Sequence, residues 1–290
     1  MKTFFTRLII FFSIILFILA FSLIISNKIT KGIIEKNMEI SLLVLGDSHS
    51  QNGINFENKL DSTLNLSNSA ESYYFSEQKL QYFITNNIRL KKVLLAVGPH
   101  SFTKSIDSLW LFDKLNFIEK SRTYWSLMDI KSMPEFINKV NFSFFTFFEL
   151  VPELFYQSFY TIERSLVLNK PPFIGGFTEN TNSIKIVKKD KISHTEVSNK
   201  DSSLSEIQLF YLNKIIRECN ENKIELILVN TPLFEGGKIE YLSKLNGTYE
   251  IIDYGDLFKR NSSLFADYVH LNGKGAEIFS DTLAKRLKSK

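Results

Sequence analysis

The run Leu8–Ser26, LIIFFSIILFILAFSLIIS, carries no charge over about 19 residues. At ~1.5 Å per residue, a helix of that length matches the hydrocarbon core of a bilayer. No polar face is marked along it, as an ordinary core helix would require. A cleaved secretory signal has a shorter apolar run and a small-x-small cleavage site, and no convincing site follows here. Residues 1–27 are therefore expected to form an uncleaved, single-pass anchor. Lys2 and Arg7 precede the run, and Lys28, Lys31 and Lys36 follow it. With basic flanks on both sides, charge is a weak guide to orientation. The short tail ahead of the span favours export of everything after Lys28. The expected location is the external, periplasmic side of a bacterial cytoplasmic (inner) membrane.

The rest of the 290-residue chain is 28–39, read as a tether, and 40–290, read as one α/β domain. With 44% hydrophobic and 23% charged residues, it has the material for a packed core. A net charge of +4 is too small and scattered to argue for nucleic-acid binding. A lone cysteine, Cys219, excludes an internal disulfide framework and a Cys-rich zinc site. Four histidines without HExxH spacing give no reason to expect a metal, and no cofactor motif is present.

Solid apolar runs mark buried strands at Ile40–Leu45, Lys92–Gly98, Ile224–Asn230 and Tyr249–Asp253, with a shorter one at Leu64–Asn68. Helical spacing falls between them, at Phe75–Asn87 and Leu204–Asn222, and again at Asn272–Leu287. Strands of this kind alternating with helices predict a flavodoxin-like parallel sheet of about five strands, covered on both faces. Residues 104–203 break the alternation and are too long for a loop. They are expected to be an inserted helical subdomain or lid, ending in a polar, exposed loop over 178–203 that carries His194. Its aromatic stretch, Phe142–Leu168, has three open roles: packing on the domain body, covering a site, or dipping into a membrane interface.

In an open parallel sheet, ligands gather at the carboxyl ends of the strands. Four polar segments fall there: Gly46-Asp47-Ser48-His49-Ser50, Asn68-Ser69-Ala70-Glu71, Gly98-Pro99-His100-Ser101 and Asp267-Tyr268-Val269-His270-Leu271-Asn272. A serine hydroxyl becomes a nucleophile when a base removes its proton, and a histidine serves when a carboxylate holds its second nitrogen. One turn can present both Asp267 and His270, three residues apart, to Ser48. Ser48 falls at a strand-to-helix turn, where backbone N–H groups can face a developing oxyanion. His49 and Asn272 are possible substrate-facing residues.

GDSHS after the first strand, with DYVHLN near the C-terminus, resembles the SGNH/GDSL hydrolase superfamily. The resemblance covers about 40–290 without the insertion. It implies the SGNH hydrolase fold, with Ser48 as nucleophile, Asp267 as orienting acid and His270 as base. That family takes oxyanion donors from a glycine in its second block and an asparagine in its third. The matching positions here are Ala70, which keeps the N–H, and His100 in the segment that begins at Gly98.

The resemblance implies acyl transfer through an acyl-serine. An anchored external SGNH domain is similar to bacterial envelope O-acylation proteins, those of alginate O-acetylation and of D-alanine transfer to teichoic acids. It implies an esterase or O-acyltransferase acting on envelope polysaccharide or glycolipid, with a multi-span membrane acyltransferase as partner. The alternatives are a lipid esterase or thioesterase, and an SGNH-like binding or scaffold protein with impaired catalysis.

Overall fold

A computed structural model of the chain describes residues 2–36, 39–86, 89–111, 113–128, 144–170, 173–182, 204–239 and 247–289. The first helix, α1, runs Lys2–Glu35 without a break. This corrects the expected tether, since helix continues through most of 28–39. The reason is a stripe at four-residue spacing. Ser22, Ser26, Thr30 and Ile34 are all buried, so the last turns of α1 pack on protein. Ile34 is fully inside the main hydrophobic core. The first part of α1 leaves its apolar side chains exposed, Phe4, Phe11 and Phe17 among them. It is long and apolar enough to cross a membrane.

Five strands follow: β1 Leu42–Leu45, β2 Thr63–Asn65, β3 Lys92–Val97, β4 Glu225–Asn230 and β5 Glu250–Asp253. They form one all-parallel sheet in the order β2-β1-β3-β4-β5, the doubly wound order expected from the sequence. Alternate residues of β1, β3 and β4 feed two cores, so both faces of these strands are buried and they read as unbroken apolar runs. Leu43, Leu45, Val93, Leu95, Leu226 and Leu228 face one core. Leu42, Val44, Leu94, Ile227 and Val229 face the other. The first core is closed by α3 (Tyr73–Asn86) and α7 (Glu206–Glu221), the second by α8 (Gly273–Lys288). The short helix α2, Ser48–Gly53, follows β1.

The insertion holds a short turn α4 (Lys104–Ile106), α5 (Lys114–Tyr124) and α6 (Phe144–Ile162), with Pro152 inside α6. α6 packs against α1 and α5, held to α5 by the ion pair of Arg122 with Glu153. The expected loop 178–203 falls mostly outside the described residues, as does His194. Its first residues, up to Asn182, belong to a strap that begins at Phe173. Gly175 sits at φ 109°, where a Cβ would meet the Leu66 carbonyl oxygen at 2.6 Å, so the strap can pass this close to β2 only with glycine.

Between α3 and α7, Glu77 and Glu218 are both buried, and Lys214 pairs with Glu77 at 2.7 Å. Burial, then the neighbouring Glu77 carboxylate, raises the Glu218 carboxyl to about 8. The folded protein thus keeps a proton that the unfolded chain has already released. Stability contributed by this proton is full below about pH 4.5 and is lost as pH rises towards about 8. Urea midpoints should fall across that window in the wild type and stay flatter in Glu218→Gln. Equal slopes in the two proteins would refute this account.

Candidate active site

The four polar segments do meet at the carboxyl edge of the sheet. Gly46 ends β1 at φ 135°, and a Cβ there would meet Ser50 Oγ at 2.6 Å and the Ala96 Cβ at 2.7 Å. Glycine therefore lets the chain turn tightly between β1 and β3. Asp47 caps α2, its Oδ1 accepting from the His49 amide at 2.9 Å. That places Ser48 at the first helical position, half-buried, with an amide that has no intrahelical partner.

His270 Nε2 lies 2.8 Å from Ser48 Oγ. His270 Nδ1 lies 2.8 Å from Asp267 Oδ2. The other carboxylate oxygen, Oδ1, accepts from the backbone amides of Val269 and His270, both at 2.8 Å. A tight turn closed by Ala266 N to the His270 carbonyl at 2.9 Å makes this possible, because it folds the four residues back on themselves. Burial works to raise the Asp267 carboxyl. The hydrogen bonds from the His270 ring and the Val269 amide outweigh it and bring the group down to about 2. Asp267 is therefore a carboxylate throughout the neutral range, and it can hold Nδ1–H so that Nε2 faces the serine.

His100 lies differently from the expected asparagine equivalent. Its Nε2 is 2.7 Å from Asp47 Oδ2. A Cβ on Gly98 would meet the Cε1–Nδ1 edge of the ring at 2.6 and 2.8 Å, so that edge lies folded over Gly98. His100 is thus committed to Asp47. Burial opposes ionisation of Asp47, but His49, His100 and their hydrogen bonds outweigh it and hold its carboxyl well below the usual range. His49 is wedged between two other imidazoles. It stacks on His100 at 4.4 Å and sits tilted against His270 at 5.1 Å. Burial, then the nearby His100, lowers it to about 3, which leaves it neutral. Its buried Nδ1 has no hydrogen-bond partner among the described residues.

Asp47, His49 and His100 offer ligand atoms within 4.8 Å of one another. Their geometry does not suit a cation. The two rings are only 23° from parallel, so their in-plane lone pairs run side by side instead of converging at the ~2.0–2.1 Å that zinc requires. Asp47 and His100 are also joined directly.

Ala70 adopts φ 51°, a left-handed conformation that favours glycine. Its segment is fastened from three directions. Gln51 Oε1 of α2 accepts from the Ser69 amide at 2.8 Å and from Ser69 Oγ at 2.6 Å. The Asn68 amide donates to the Gly46 carbonyl at 3.0 Å. Asn116 of α5 donates to the Ala70 carbonyl at 3.0 Å. Behind it, Tyr124 of α5 donates to Glu71 at 2.9 Å and accepts from Asn68 at 2.6 Å. The fully buried Lys79 pairs with Glu71 and lies 3.9 Å over the Tyr124 ring. Gln51, Asn116 and Tyr124 were not anticipated from the sequence. Nothing in the insertion's own pattern points to contacts this distant along the chain.

The remaining expectation, Asn272, is corrected. Its side chain caps α8 through the Gly275 amide and donates to the Ser263 and Phe265 carbonyls, so it is spent on structure. Around the opening, Trp110 of the insertion meets the His100 ring edge-on at 5.8 Å. Tyr268 and Val269 stand exposed next to His270. Tyr268 packs on Phe234 of the loop after β4. The strap ties the back of the site together, with the Thr178 amide on the Gln51 carbonyl at 3.0 Å and the Gly273 amide on the Asn180 carbonyl at 3.1 Å.

A match to an uncharacterised protein family covers residues 176–290. It takes in the strap from Gly176, β4, β5, the Asp267–His270 turn and α8, but stops short of Ser48. No curated protein matches the chain.

Proposed function

We propose that the chain is a membrane-anchored serine acyl esterase or O-acyltransferase of the SGNH type, acting on cell-envelope carbohydrate through an acyl-serine intermediate. The observation that carries this reading is the unbroken chain Ser48–His270–Asp267, with both hydrogen bonds at 2.8 Å. Ser48 Oγ attacks the acyl carbonyl while His270 Nε2 takes its proton. Asp267 steadies the imidazolium that forms. The C–O bond of the donor ester breaks, and His270 returns the proton to the leaving alcohol. An acceptor hydroxyl, from water or a sugar, then takes the acyl group by the same steps in reverse.

For the oxyanion, the backbone amides of Ser48 and Ala70 are the donors this reading favours, because His100 Nε2 is engaged with Asp47. Trp110 and the α5 side of the insertion would act as the lid, limiting water at the site. The anchor would place this chemistry on the external face of a bacterial cytoplasmic membrane. A single span moves no acyl group across by itself, so a multi-span membrane acyltransferase is the partner this reading implies. A second reading, a lipid esterase or thioesterase, is favoured by the apolar rim of Tyr268 and Val269. The oriented histidine within hydrogen-bond reach of Ser48 favours catalysis over the third reading, a binding or scaffold protein with impaired catalysis.

The test uses the full chain in detergent micelles, treated with a fluorophosphonate probe and, separately, with short- and long-chain aryl esters. Stoichiometric labelling with turnover of acetyl esters is expected. Preference for long acyl chains would favour the lipid reading. A folded protein that neither labels nor turns over would defeat the acyl-serine mechanism.

A further inference from the structure

His49 is a polar side chain of the site that the acyl-transfer steps leave without a role. It follows Ser48 directly on α2, and only 9% of its surface is exposed. Nδ1 is enclosed without a hydrogen-bond partner among the described residues, and Nε2 keeps access to the opening. A neutral imidazole carries one N–H. On Nδ1 that hydrogen would be a buried donor with nothing to accept it, so it belongs on Nε2. His49 therefore presents an uncharged donor to the opening. Asp47 keeps it there, with Oδ1 on the His49 amide and Oδ2 on the His100 ring that His49 stacks upon.

The sheet order fixes the side of Ser48 on which this donor stands. Ala70 follows β2 and His100 follows β3, and these strands flank β1, which leads into Ser48, on opposite sides. His49 lies against the rings of His100 and His270, so it stands away from Ala70 and beside the base. That is where the alcohol oxygen of an ester must lie to take a proton from His270.

We infer that His49 Nε2–H donates to this alkoxy oxygen, and so fits the site to oxygen esters and hydroxyl acceptors over amides and thioesters. The inference rests on the acyl-serine reading and deepens it. In acylation the bond from Ser48 Oγ to the acyl carbon forms, the bond from that carbon to the alkoxy oxygen breaks, and His270 passes its proton to that oxygen. The oxygen has two lone pairs. One takes the proton, and the other accepts from His49, which keeps its own hydrogen throughout. The nitrogen of an amide has a single lone pair at this stage, and the proton uses it. A thioester sulfur is a weak acceptor. In the second half, His49 holds the acceptor oxygen while His270 takes its hydrogen.

The test compares the full-length wild type in detergent micelles with His49→Phe and His49→Gln. Phenylalanine keeps a flat ring between the two imidazoles without an N–H, and glutamine restores a donor. The substrates are an alkyl acetate and the thioacetate of the same alkyl chain. Fluorophosphonate labelling reports attack by Ser48 with fluoride as the leaving group. His49→Phe should lower kcat/KM for the oxygen ester about 10- to 100-fold, the usual effect of a hydrogen bond to a charged group. That loss should exceed the loss on the thioester, and on labelling, by about tenfold. His49→Gln should recover much of it. Equal losses in all three assays would mean that the ring serves packing or the oxyanion, and would overturn the inference. Wild-type turnover of the oxygen ester by His49→Phe would do the same. A wild type that neither labels nor turns over would fail at the acyl-serine reading instead. The donor can be judged even then, because the chain has only four histidines to resolve in a ¹⁵N spectrum. His49 should appear as the neutral Nε2–H tautomer from about pH 5 to about pH 8, and an Nδ1–H tautomer would overturn the inference.

Discussion

Ser48→Ala should leave a folded protein that no longer reacts with a fluorophosphonate at all. His270→Ala should come close to the same result. Asp267→Asn is the more informative variant. An amide at this position can still accept from the Val269 and His270 amides, so the turn should survive. It can also present its NH₂ to Nδ1, which then holds the imidazole in the wrong tautomer to accept a proton from Ser48. Labelling should slow by about 10⁴-fold, the loss seen for the equivalent change in Ser-His-Asp proteases. Because the wild-type carboxyl titrates only near 2, the wild-type rate should show no loss attributable to Asp267 between pH 5 and pH 8. Wild-type labelling rates in Asp267→Asn would mean that His270 finds its tautomer without the carboxylate, and the proposed division of roles would be wrong.

The second large effect is structural. Lys79 and Glu71 are both fully buried, and the ammonium also donates to the Leu66 carbonyl. Burial lowers Lys79 to about 8, against the pull of Glu71, so the pair is held at a considerable desolvation cost. Removing one member leaves the other uncompensated. Lys79→Met should cost about 3–5 kcal/mol of unfolding free energy, measured by urea titration. The double variant Lys79→Met with Glu71→Leu should recover much of that loss, because no buried charge remains. A cost below about 1 kcal/mol for the single variant, the range of an exposed pair, would show that water reaches the site and that the network does not hold the Ala70 segment as described.

The parts of this molecule that could be read in advance are those whose signal is local. β1, β3 and β4 are buried on both faces, so their apolar runs announced them together with the parallel sheet. Ser48, Asp267 and His270 come directly after strand ends or before a helix, where an open parallel sheet delivers its functional residues. The misreadings have physical causes too. Residues 28–39 read as a tether, yet the buried side chains of Ser22, Ser26, Thr30 and Ile34 at four-residue spacing keep α1 helical up to Glu35. Position 100 was read by alignment to an asparagine. Its ring is instead steered by two things no short motif encodes: a bare Gly98 beneath it and a free carboxylate oxygen on Asp47. Asn272 drew attention as a polar residue beside the histidine, but its place at the start of α8 already assigns its oxygen to a backbone amide. Asn116 and Tyr124 reach the Ala70 segment from about 50 residues away, through a subdomain with no periodic link to the sheet.

The continuity of α1 from its long apolar stretch into the core has a geometric consequence for any membrane which that stretch crosses. A flexible leash would let the active-site opening sample many heights and bearings above the lipid. A helix whose far end, Ile34, is locked into the core behaves instead as an axle of fixed length. One residue added between Ser26 and Thr30 would lift the body by about 1.5 Å and swing it by about 100° around the membrane normal. The height of the opening around Ser48, and the side of α1 on which it lies, are therefore set by the same few residues.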